Sequence, residues 1–220
     1  MKTLILITGL ILSISFNLNA QQIINSDFEN WSQKIINEPD SFLTSNTMVN
    51  TDSGNVIQVT DSYHGLFAAK IETVLSGNDT IQGMILIGTP GNQTINGGIP
   101  FTGTPDSISG YVKYDIQPND TAFFIVAFKK DGIMIGQAVA NFYGTQSTYK
   151  RFSIPTYLIE LNPPDTMVAI ITSSNLDPPQ IPGSTITIDS ITFLHSSQQF
   201  PNQDFENWTE VETGEDPVGW

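Results

Sequence analysis

The sequence predicts an all-β chain, folded as an antiparallel sandwich or barrel. Three observations carry this. Short stretches rich in β-branched and aromatic residues recur along the chain, turn residues separate them, and no apolar run keeps a helical period. Roughly nine or ten strands so spaced, with no helices to cover a parallel sheet, must bury their apolar faces against one another.

Taken in order, residues 56–60 form a short β-rich stretch, and residues 69–74 alternate polar with apolar side chains, as a half-buried strand requires. Residues 83–88 are a continuous apolar run, the pattern of a strand covered on both faces. Residues 108–116 alternate again. Residues 121–130 and 133–142 flank Asp131-Gly132, a pair that favours a two-residue hairpin turn. Residues 149–154, 167–173 and 185–194 complete the set. Pro, Gly and Asn make up the links, at 89–92, 97–98, 162–165 and 178–183. Phe123, Phe124 and Phe128 are assigned to the sheet faces, mainly in the core.

Residues 1–20 have the form of a signal peptide. Lys2 supplies the positive start, residues 4–16 the apolar run, and Asn17-Leu18-Asn19-Ala20 a small-ended cleavage region. That run is shorter than the ~20 residues of a spanning helix. The expectation is a secreted or cell-surface protein with no membrane insertion. The chain has no cysteine, which excludes disulfides, thiolate catalysis and sulfur-bound zinc. Its net charge of −14 argues against nucleic acid, whose phosphates need basic patches. Only 14% of residues are charged, so Ser, Thr, Asn and Gln dominate the polar surface, a composition suited to neutral ligands.

One stretch occurs twice. Asn25-Ser26-Asp27-Phe28-Glu29-Asn30-Trp31 returns as Asn202-Gln203-Asp204-Phe205-Glu206-Asn207-Trp208, with a single letter changed. Repetition at a domain-sized spacing reads as two tandem domains rather than a solenoid. The expected organisation is one domain over 22–199 and the start of a second, truncated repeat over 200–220. The alternative is a C-terminal tail that docks on its own domain.

Asp27-Phe28-Glu29-Asn30-Trp31, the stretch 100–105, Ile108-Ser109-Gly110-Tyr111-Val112-Lys113-Tyr114, Ser173-Ser174 and the ending 183–191 resemble the Bacteroidota family known as the "putative carbohydrate metabolism domain". The resemblance runs from Asn25 to Leu194. More distantly, the start and finish look like the calcium-stapled jelly-roll carbohydrate-binding modules of glycanases. It departs from them at Ser190, where a second aspartate is common, and at Phe42, where a tryptophan is usual. The resemblance implies a galactose-binding-like jelly-roll β-sandwich. It also implies that Glu29 and Asp189, on adjacent first and last strands, share a structural calcium ion, with Asp27 as a further ligand. Ca²⁺ favours such carboxylate oxygens.

Sugar rings present flat C–H faces that stack on aromatic side chains. Tyr63, His64, Phe142, Tyr143 and Tyr149 are the candidate ligand-binding residues, because binding groups concentrate on loops and strand ends of a rigid scaffold. Trp31 is read as packing on the N-terminal strand. Catalysis has little support: His64 and His195 are the only histidines, and no nucleophile elbow accompanies His195 and Ser196. The expected function is a secreted, non-catalytic module that binds a polysaccharide or other glycan, within a polypeptide with further domains. The alternatives are a structural or adhesive spacer and, with less support, a glycan-processing enzyme.

Overall fold

A computed structural model describes residues 24–51, 53–91, 95–159 and 163–218, so the leader expected over 1–20 lies outside the described residues. The chain separates into a large unit, Gln33–Gly214, and a small one that joins the residues up to Ser32 with those from Glu215 onward. The strands used below are β1 (Trp31–Pro39), β2 (Leu43–Thr44), β3 (Val56–Val59), β4 (Ala68–Glu72), β5 (Met84–Ile87), β6 (Ser107–Asp115), β7 (Ala122–Lys130), β8 (Ile133–Phe142), β9 (Thr145–Pro155), β10 (Thr166–Thr172), β11 (Thr185–Leu194) and β12 (Trp208–Pro217).

The large unit is an antiparallel β-sandwich, as the sequence predicts. One sheet runs β8-β7-β10-β5-β2, extended beyond β8 by Tyr157–Leu158, and the other runs β9-β6-β11-β4-β3. From β4 to β11 the chain passes repeatedly between the sheets, so neighbours in space are seldom neighbours in sequence. Alternation decides what each sheet buries. On β7, Ala122, Phe124, Val126 and Phe128 point inward, while Phe123 is half-buried. Phe101, Phe128 and Phe193 meet in tilted and edge-on contacts at the centre. These are the geometries aromatic quadrupoles favour. The continuous apolar stretch does form a strand enclosed on both sides: Ile85, Leu86 and Ile87 of β5 are all buried. Asp131 and Gly132, both at positive φ, close the β7–β8 hairpin.

Two features depart from the alternation pattern. β1 and β12 form a separate two-stranded ribbon, mostly exposed, that carries no apolar alternation and so gives no strand signal. Residues 200–208, which the repeat assigns to a second domain, pack into the large unit. Phe200 and Phe205 are buried members of its core, and Trp208 is packed against it. Phe205 stacks on Phe42 at 5.7 Å.

One half-buried carboxylate at the edge of the sandwich makes a testable contribution. Glu38 accepts a hydrogen bond from the Thr44 hydroxyl at 2.6 Å, yet burial raises its pKa above the ordinary value. A carboxyl whose pKa is higher in the folded than in the unfolded chain favours folding fully below the unfolded value. It loses that contribution as pH rises through the folded value. Glu38→Gln keeps an acceptor for Thr44 and removes the charge. Its Tm should exceed the parent's at pH 7, and the gap should close as pH falls below about 4, the ordinary glutamate range. Thermal unfolding of both proteins across pH 3–8 checks this.

Candidate functional site

The outer face of the second sheet carries the candidate site. On β6 the residues in phase with the core are Ile108, Gly110 and Val112, which leaves Tyr111 and Lys113 on the outer face. Across from Tyr111 in the sheet stands Asp189 of β11. Asp189 is fully buried, and its Oδ2 accepts the backbone N–H groups of Tyr63 at 2.7 Å and His64 at 2.9 Å. Ser190 donates its hydroxyl to Oδ1 at 3.2 Å. Asp189 therefore pins the β3–β4 loop directly over its own cross-strand neighbour. The Tyr63 ring consequently lies on Tyr111, with centroids 3.4 Å apart and planes within 10°.

Tyr149 completes the cluster. It meets Tyr63 edge-on at 6.0 Å, and its hydroxyl donates to the Asp61 carbonyl at 2.6 Å. Burial, then the negative charges of Asp189 and Asp61, push its pKa far above the ordinary tyrosine value. The Tyr63 hydroxyl is also pushed up, first by its hydrogen bond with Tyr111. Both phenols stay protonated and remain donors at neutral pH. Lys113 pairs with the Asp61 carboxylate and lies 5.0 Å from the centre of the Tyr149 ring.

Beside the tyrosines runs a groove of about 430 Å³, lined among others by Asp61, Lys113, Thr145, Gln146 and Thr187. This is within the size range of small-ligand sites. Its walls offer ammonium, amide, hydroxyl and carboxylate groups. Asp61 and Lys113 join it to the tyrosine cluster through Tyr149, and Tyr63 of that cluster remains 48% exposed.

Of the sequence candidates, Tyr63 and Tyr149 come together here, and His64 of the same loop takes part through its backbone N–H, which donates to Asp189. Phe142 does not belong to the site. It is buried against Tyr114 and Phe152, because it shares the inward phase of Ala138 and Ala140 on β8. Tyr143 is exposed in the β8–β9 turn and is not among the rings of the cluster. Tyr111, Lys113, Asp61 and Gln146 were not singled out by sequence reasoning. The outward phase of Tyr111 and Lys113 on an alternating strand was the available signal.

Of the groups expected to hold calcium, Glu29 and Asp27 belong to the small unit and Asp189 to the large one. Both free positions on Asp189 Oδ2 are taken by N–H donors, and Asp27 Oδ1 accepts from the Glu29 backbone at 3.5 Å. Among the described residues no group of three or more His, Cys, Asp or Glu side chains could hold a metal ion. No step below uses calcium. His195 pairs with Asp106 at 2.6 Å, but both are largely exposed, and the Ser196 hydroxyl is buried without a partner. The pair has the acid–base half of a triad without a poised nucleophile.

Fold and face together define the chain as an antiparallel β-sandwich with a tyrosine cluster and polar groove on one sheet. Its fold is similar to that of a "putative glycoside hydrolase" from Bacteroides vulgatus, with a TM-score of 0.55 at 16% identity over 76% of this chain and 96% of that one. A "putative glycoside hydrolase" from Bacteroides thetaiotaomicron gives a TM-score of 0.54 at 16% identity, and the match spans 71% of this chain but only 63% of that one. A second family 16 carbohydrate-binding module, at a TM-score of 0.37 and 12% identity over 72% and 86% of the two chains, is too distant to carry an argument. No protein-family model matches the chain, and no curated protein matches its sequence. Among the described residues no helix is long and apolar enough to cross a membrane.

Proposed function

We propose that the protein is an exported, non-catalytic glycan-binding module that acts outside the cell or on its surface. The observation that carries this reading is the Tyr63–Tyr111–Tyr149 cluster beside the polar groove. The exposed side of Tyr63 is a flat apolar surface for the C–H face of a sugar ring. Gln146, Thr145, Thr187 and Lys113 supply directional hydrogen bonds for its hydroxyls. The rings are held by a buried carboxylate and by one another, so little side-chain freedom is lost on binding. The names of the similar Bacteroides structures also point toward carbohydrate. They favour the second reading, hydrolysis, equally well; what favours binding is the exposed Tyr63 ring held on Tyr111.

The test is depletion of the purified chain from solution by a panel of soluble and insoluble polysaccharides, with Tyr63→Ala and Tyr143→Ala beside it. Selective loss onto one polymer without sugar release is expected. Tyr63→Ala should weaken it about tenfold or more, equivalent to about 1.4 kcal/mol. Tyr143→Ala should bind as the parent does. Full recovery from every polymer would favour a structural or adhesive spacer, and release of reducing sugar would establish an enzyme.

A further inference from the structure

The two copies of the repeated stretch fold into the same turn. In the second copy, the Asn202 side chain accepts the Asn207 N–H at 3.1 Å and donates to the Asn207 carbonyl at 2.8 Å. Trp208 Nε1 bonds to the Phe205 carbonyl. In the first, Asn25 makes the same two bonds to Asn30, at 2.9 and 2.6 Å, and Trp31 Nε1 bonds to the Phe28 carbonyl. Asn25, Phe28, Asn202 and Phe205 share positive φ values between 41° and 58°. The turn is therefore written into the seven residues themselves and does not depend on what surrounds them.

The large unit reads the second copy residue by residue. Phe205 is fully buried against Phe42. Glu206 Oε1 accepts the backbone N–H groups of Leu66 at 2.8 Å and Phe67 at 2.9 Å. The Asp40 N–H donates to the Asn207 carbonyl at 3.0 Å, and the Ile191 N–H donates to the Gln203 carbonyl at 2.8 Å. Gly65, at φ +78°, admits the glutamate, since a Cβ there would stand 2.1 Å from Glu206 Oε1. The letter that differs between the copies is Gln203, Ser26 in the first. Here the slot reads only the backbone carbonyl, and the Gln203 Oε1 is buried without a partner. A serine at that place would leave no such orphaned acceptor.

We infer that this slot is a recognition groove for the repeated stretch, and that it accepts the first copy of a second molecule of this chain as it accepts its own second copy. The exchange reproduces the slot contacts named above and gives up the bond that the Asn30 carbonyl accepts from the Val218 N–H at 3.0 Å in its own chain. It is therefore favoured only when the second copy is weakened and the concentration is high. The chain's own copy holds the advantage of tethering, equivalent to roughly millimolar effective concentration. Weakening the second copy hands the slot to a neighbour's first copy and links two sandwiches.

The test compares Phe205→Ala with Phe28→Ala/Phe205→Ala, each as the full chain. In sedimentation, Phe205→Ala should dimerise with rising concentration and the double variant should stay monomeric. A synthetic peptide of residues 24–32, titrated to about 1 mM into the double variant, should raise its Tm saturably. The same peptide with Phe28→Ala should not. A Phe205→Ala chain that is monomeric throughout, or a double variant indifferent to the native peptide, would overturn the inference. So would equal effects of the two peptides. If Phe205→Ala does not fold, Phe205→Leu replaces it in both arms.

Discussion

Replacing Asp189 with alanine is expected to cost the protein both its ligand and a measurable part of its stability. The carboxylate is fully buried and accepts from three donors: the Tyr63 and His64 N–H groups and the Ser190 hydroxyl. Hydrogen bonds to a charged acceptor contribute about 1.5–3 kcal/mol each, and a buried donor left unpaired costs a similar amount. The loop N–H groups can turn to water once released, so the net loss should be near 3 kcal/mol rather than the full sum. For a domain of this size that lowers Tm by roughly 6–12 °C. Tyr63 no longer has to lie on Tyr111, so polysaccharide depletion should fall to the level of Tyr63→Ala. Asp189→Asn retains an acceptor and should sit between the two. Calorimetry and depletion on the same preparations check this, with a chelator present and absent. If calcium did bridge Asp189 to another carboxylate, the chelator alone would reproduce the loss in the parent; the donor arrangement predicts that it changes nothing.

The sandwich was legible because its strands bury one face or both, and burial writes period two, or an unbroken apolar run, into the letters. The boundaries of β8 and β11 follow from that signal alone. The β1–β12 ribbon was not legible, since an exposed polar pair has no face to encode. The site was half legible. Tyr63 lies in a loop, where aromatics attract notice, and Tyr149 was noticed as the first residue of an expected strand that in fact begins at Thr145. Tyr111, by contrast, looks like any outward strand residue until its neighbour Asp189 is seen to hold a loop above it. Phe142 shows the opposite error. Counted back by twos through Ala140 and Ala138 it points inward, and nearness to a strand end does not change its phase. Asp189 itself was noticed, but for its charge. What it binds, two N–H groups some 125 residues away in sequence, depends on tertiary closure that no local pattern records.

The largest loss of stability should come from Asp120, remote in role from the tyrosine face. It sits just before β7, 4% exposed, and collects donors from four directions. Ser174 donates at 2.6 Å, Ser184 at 2.5 Å, and the Asn175 and Thr121 N–H groups at 2.8 and 2.9 Å. Ser174 and Ser184 are themselves fully buried, and each accepts a backbone N–H, from Ile181 and Gln117. The carboxylate thus joins the start of β7, the end of β10 and the start of β11 at one end of the sandwich. Asp120→Ala leaves two hydroxyls and at least one N–H without acceptors in a place water does not reach. At about 1–3 kcal/mol for each buried group, the expected loss is about 3–5 kcal/mol. Asp120→Asn should lose less, since its carbonyl serves some donors while its NH₂ faces others. Denaturant unfolding monitored by tryptophan fluorescence reads both variants. An unchanged m-value with a lower midpoint would place the effect in the folded state. Sugar binding by the folded fraction should survive, because the β3–β4 loop is held by Asp189 and Glu206 and owes nothing to Asp120.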